Sequence, residues 1–132
     1  MKRRALLSLG ATALFGGCLG LGESQPHPRL AWIWLRNDRD EAYDVDVVVE
    51  ADGEEVFADS YRVGTTSDTA NVTVDNPVEE PGNYVVRATM DDETREVALA
   101  DYVDDDERCV GVRFSLLNNG SVTYWTKSMQ QC

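Results

Sequence analysis

The segment 43–51, YDVDVVVEA, alternates strictly: Tyr43, Val45, Val47 and Val49 fall on one side, and Asp44, Asp46 and Glu50 on the other. A period of two over that length specifies a half-buried β-strand and excludes an amphipathic helix. Asp52-Gly53 follows, a strong two-residue hairpin signal, and 54–63 (EEVFADSYRV) is the return strand. The same grammar runs through the rest of the chain. Short strands are predicted at 30–36 (LAWIWLR), 69–75, 84–90 (YVVRATM), 109–116 (CVGVRFSL) and 122–127 (VTYWTK), with turn residues between them. The segment 94–103 is a less certain strand with partly helical character, and 118–120 (NNG) is the centre of a last hairpin.

Seven or eight short strands at intervals near twelve residues, with no confident helix after the N-terminal region, predict an all-β fold. The expected architecture is an antiparallel two-sheet sandwich of immunoglobulin- or fibronectin-like type, with a small barrel as the competing arrangement. The run PGNYVV at 81–86 resembles the loop-to-strand step of such domains, where a tyrosine follows a Pro-Gly turn into a late strand. A Trp between two inter-sheet cysteines is missing, which argues against a true antibody-type domain.

The N-terminus has a different character. Lys2, Arg3 and Arg4 precede a short apolar run that ends Leu14-Phe15-Gly16-Gly17-Cys18. A basic cluster, an apolar core and small residues before a cleavage point make a secretory signal, and the run is too short to span a bilayer, which takes about 20 apolar residues. Cys18 in this setting resembles the lipobox of secreted lipoproteins, and Arg3-Arg4 resembles a twin-arginine export signal. The resemblance implies cleavage before Cys18, a lipid on its sulfur, a signal peptide at 1–17, a flexible tether at 18–29 and a folded domain at 30–132 on the outer face of the cell membrane. With Cys18 assigned to the anchor, Cys109 and Cys132 remain as an even pair in an exported chain, which predicts one disulfide. Hairpin symmetry about Asn119 places Cys109 opposite residue 129, within reach of Cys132 if the tail curls back.

Lys2, Arg3 and Arg4 account for three of the 12 basic residues, leaving nine against 24 acidic ones, a net charge of −15 after the signal. Only one of the nine, Lys127, is a lysine. Self-repulsion on this scale destabilises a compact state in dilute salt and is damped where the screening length falls to ~3 Å at 1 M. The profile resembles proteins of extremely halophilic archaea. It offers no basic patch for phosphates, so nucleic acid is excluded as a partner.

Catalytic chemistry finds little support. His27 is the one histidine and stands between two prolines in the tether, so neither a Ser-His-acid triad nor a histidine-based zinc site can be built. Carboxylate pairs are inevitable by chance among 24 acidic residues. The expectation is a non-enzyme with no cofactor and no metal site; the acidic clusters 37–41 and 104–107 lack EF-hand spacing and read as solvated turns. Trp32 and Trp34 share one face of the first strand with Leu30. A small sandwich needs large apolar side chains, which favours that face as core; if it is exposed, it is an aromatic platform for a sugar or a protein. Asn71 and Asn119 head triplets of the N-glycosylation type. The functional expectation is a lipid-anchored binding or adhesion module with a protein or glycan partner, and the alternative is an accessory or structural subunit of a membrane complex.

Overall fold

The computed structural model describes residues 27–91, 93–103 and 108–132. Arg3, Arg4, Cys18 and the acidic residues 104–107 lie outside the described residues. Eight strands form: β1 (Arg29–Asn37), β2 (Tyr43–Ala51), β3 (Glu54–Val63), β4 (Asn71–Asp75), β5 (Tyr84–Met90), β6 (Glu93–Ala98), β7 (Cys109–Leu116) and β8 (Val122–Met129). They build two four-stranded sheets, β4-β1-β7-β8 and β3-β2-β5-β6, packed face to face as a sandwich. The segment 94–103 divides: its strand ends at Ala98, and Leu99–Tyr102 makes one 3-10 turn that buries Leu99.

The alternation written into each strand sets its inner face. Val45, Val47 and Val49 of β2 meet Val110, Val112, Phe114 and Leu116 of β7 in one core, joined by Ile33 and Leu35 of β1 and by Tyr84, Val86, Ala88 and Met90 of β5. Phe114 is the bulkiest fully buried side chain, and a truncation to Ala at such a site costs about 3–5 kcal/mol. The Asp52–Gly53 turn closes the β2–β3 hairpin with φ of 53° and 85°, the positive pair that a two-residue turn of matching twist requires.

Among the described residues every strand pairing is antiparallel but one: β1 runs parallel to β7, from Arg29 beside Cys109 to Asn37 beside Leu116. The antiparallel expectation therefore fails at this pair. Period-two patterning carries no information on the direction of strands with no turn between them, so the sequence could not show it.

Tyr84 ties the β4–β5 link to the sandwich. Its hydroxyl donates to the Glu80 carbonyl at 2.5 Å, and its ring covers Gly82 so closely that a Cβ there would approach the ring to 2.9 Å. This is the tyrosine corner of immunoglobulin-like sandwiches. Burial, followed by the nearby Glu80 charge, pushes the Tyr84 phenol above its ordinary value near 10. At the opposite end, Asn37 is buried and acts as a loop clamp. Its amide donates to the carbonyls of Glu41 at 2.8 Å and Gly64 at 2.9 Å, and its oxygen accepts from the Arg39 amide at 2.9 Å. The cluster 37–41 is thus a braced inter-sheet loop. Among the described residues no group of three or more His, Cys, Asp or Glu side chains is placed to hold a metal ion.

Cys109 and Cys132 are joined in a disulfide with their Cα atoms 5.4 Å apart. Cys109 pairs with Met129 in the β7–β8 ladder, so the bond folds the last three residues back onto the start of β7.

Candidate binding face

The outward side chains of the β4-β1-β7-β8 sheet form a grid whose rows follow from the strand registers. One row is Thr73, Trp34, Arg113 and Trp125; the next is Asp75, Trp32, Gly111 and Lys127. All three tryptophans of the chain therefore lie on one outer face. Trp32 and Trp34 are half-buried against their neighbours, and Trp125 is 46% exposed.

The core expectation for Trp32 and Trp34 is overturned, and the cause is a bulge. Between Leu30 and Trp32 the β1–β7 register shifts by one residue. Leu30 and Ile33 both enter the core as a result, while Trp32 and Trp34 turn outward. Read as unbroken alternation, LAWIWLR puts Leu30 with the tryptophans; the extra residue, Ala31, separates them.

The guanidinium carbon of Arg113 lies 5.0 Å from the Trp34 ring centroid and 5.1 Å from that of Trp125. The cation is held between two indoles. Trp34 is fixed in turn by a hydrogen bond from its Nε1 to the Asn71 side-chain oxygen at 2.8 Å. Trp32 lies flat over Gly111, where any Cβ would run into the indole ring. Together Trp32, Trp34, Thr73, Asp75, Trp125 and Lys127 line a shallow open depression of about 270 Å³ with an apolar floor.

Electrostatics set this face apart from the opposite one. The outer face of the β3-β2-β5-β6 sheet is acidic and internally paired. Arg62 meets Asp44 at 3.0 Å, and Arg87 bridges Glu50 at 3.3 Å and Glu96 at 2.6 Å. Hydrogen bonds to Glu50 and Glu96 hold the Arg87 guanidinium above its ordinary pKa. On the tryptophan face, Arg113 and Lys127 have no carboxylate partner among the described residues.

The sequence singled out Trp32 and Trp34 but missed Arg113 and left Trp125 and Lys127 outside the face. The hairpin symmetry that places Cys109 opposite residue 129 also places Arg113 opposite Trp125 and Gly111 opposite Lys127. Asn71 borders the face on edge strand β4 with its oxygen occupied by Trp34. Asn119 is apart, at the β7–β8 turn, where its oxygen accepts from the Ser121 amide at 3.0 Å and the Ser121 hydroxyl at 2.7 Å.

Both edges of the β3-β2-β5-β6 sheet are poorly suited to recruiting another strand. β3 exposes Glu54, Glu55, Asp59 and Arg62, and β6 exposes Thr94 and Glu96; charged edges resist pairing. Searches of curated proteins and of solved structures found no match. The family model described as the Halobacterial Ig-like domain matches residues 41–128, which include Arg113, Trp125 and Lys127. With the sandwich, the tyrosine corner and the acidic, lysine-poor surface all in agreement, the chain belongs to the halobacterial Ig-like domain family.

Proposed function

We propose that this protein is a lipid-anchored, non-catalytic binding module on the outer face of the cell membrane, and that it takes a saccharide on the tryptophan face. The observation that carries the reading is the gathering of every tryptophan in the chain onto one outward sheet face around an open apolar depression. Exposed aromatic surface of this kind marks an interaction site, and flat indoles suit the apolar faces of sugar rings. The export and anchoring part rests on Arg3, Arg4 and the Leu14–Cys18 sequence. The alternative of an accessory subunit docked by strand addition is disfavoured at the charged β3 and β6 edges.

The test is an intrinsic-fluorescence titration of the whole chain, extracted in mild detergent and molar KCl, against a panel of oligosaccharides. Every tryptophan belongs to the face, so binding there changes the emission, and Trp34→Ala and Trp125→Ala each abolish the response. A panel that leaves the emission unchanged, together with a cross-linking pull-down that returns one stoichiometric membrane protein, overturns the saccharide reading in favour of the accessory subunit. Cys18→Ser tests the anchor separately, with release into the medium or an uncut signal as the expected result and unchanged membrane retention as the refuting one.

A further inference from the structure

We infer that the saccharide is an acidic one, a uronic-acid glycan whose carboxylate is gripped by Arg113 and Lys127; this rests on the saccharide reading above. The chain has twice as many acidic as basic residues, 24 against 12, so a cation without a carboxylate partner needs a reason. Arg36, Arg62, Arg87 and Arg95 are each in an ion pair. Arg39 donates to the carbonyls of Leu117 at 3.1 Å and Gly120 at 2.7 Å. Arg113 has none of this. Its Nε is buried without an acceptor among the described residues, and its guanidinium rests against the two indole rings. A guanidinium carries five N–H donors in a planar fork that matches a carboxylate two bonds at a time. Held between Trp34 and Trp125, the fork is already oriented, so little side-chain freedom remains to be lost on binding.

Lys127 is the second cation. It lines the depression, with Arg113 in the adjacent row between Trp34 and Trp125, and Asp75 stands at the far end of the Lys127 row. The face is therefore polarised: cations toward β7 and β8, one carboxylate at β4. Asp75 repels a second acid group and accepts hydrogen bonds from sugar hydroxyls. A ligand with a ring face for Trp32, hydroxyls toward Asp75 and an acid group toward Arg113 and Lys127 meets all three demands. A neutral sugar leaves both cations unanswered. Partial burial between indoles also matters in concentrated salt, where exposed charges lose each other beyond ~3 Å at 1 M but buried contacts are screened much less.

The experiment is a fluorescence titration of the whole chain in 2 M KCl with an oligogalacturonate and, in parallel, its fully methyl-esterified form, which has the same backbone without the charge. The acidic oligomer is expected to bind at least about tenfold tighter, the order of one charge-assisted hydrogen bond. Lys127→Gln and Arg113→Lys each reduce that preference for the acid over the ester. Arg113→Lys keeps a cation and removes the fork, so a loss there identifies two-point contact. Equal binding of acid and ester overturns the acidic preference and leaves the saccharide reading standing. Binding of neither overturns both. A preference for the acid that survives both substitutions places the anion elsewhere and overturns the assignment to Arg113 and Lys127.

Discussion

Gly111→Ala tests the seating of Trp32 without touching a charge or a hydrogen bond. A Cβ at position 111 falls on Cε2, Cζ2 and Cδ2 of the Trp32 ring, far inside the ~3.5 Å optimum for carbon contacts. Trp32 must tilt away or the β1–β7 ladder must open, and overpacking of this kind costs about 1–3 kcal/mol. Against it stands the ordinary gain of about 0.5–1 kcal/mol for replacing Gly by Ala inside a strand. The net expectation is a loss of about 1–2 kcal/mol. At about 4–8 °C per kcal/mol for a domain of this size, that is a drop in Tm large enough for a thermal melt in molar KCl, accompanied by a red shift of tryptophan emission as the indole meets water. In a Trp32→Ala background the same substitution has nothing to strike and raises the Tm. The sign therefore inverts between the two backgrounds, and the coupling is about 2 kcal/mol, within the range for residues in contact. If Gly111→Ala stabilises the unmodified protein as it does the Trp32→Ala variant, with unchanged emission, Trp32 does not rest on Gly111 and the floor of the depression is wrong.

Further expectations concern the frame. Cys109→Ala with Cys132→Ala, which opens a span of 23 residues, lowers stability by about 3 kcal/mol in the chain-entropy picture; denaturant melts with and without reductant check this, and indistinguishable curves refute it. Tyr84→Phe removes the hydroxyl bonded to Glu80 and costs about 1 kcal/mol in the same assay. Tyr102 and Tyr124 share a hydroxyl–hydroxyl bond of 2.8 Å that, with burial and the local charges adding to it, raises the Tyr102 phenol above 10.0. The stability from that bond is present below pH ~10 and is lost as pH rises through the folded-state value; Tyr124→Phe returns Tyr102 toward its ordinary titration, read by ultraviolet absorbance. The domain unfolds as KCl falls from molar toward ~0.1 M, and a salt-independent melting curve removes the halophile argument.

The strands were legible because their residues alternate and their turns announce themselves. YDVDVVVEA forms β2 over its full length, Asp52-Gly53 turns where expected, and hairpin symmetry about Asn119 sets the β7–β8 register. What depended on partners distant in sequence was not legible. The parallel β1–β7 pairing joins strands about eighty positions apart, and no local signal encodes its direction. The bulge at Ala31 has no signature of its own, yet it decides whether Trp32 and Trp34 face inward or outward. Arg113 was overlooked because an arginine in a strand reads as a solvated position until the tryptophans on both sides of it are placed.

The position of β1 has a mechanical consequence. It lies inside its sheet, bonded to β4 on one side and β7 on the other, and it is the strand into which the preceding chain leads. A pull on that chain loads both ladders lengthwise, so rows of hydrogen bonds must yield together in shear rather than peel one at a time. With the chain end clamped through Cys132 to Cys109, beside which β1 begins, the entry point of the load is also the reinforced end of the sheet. Under the proposed anchoring, drag on the domain is carried along these two ladders.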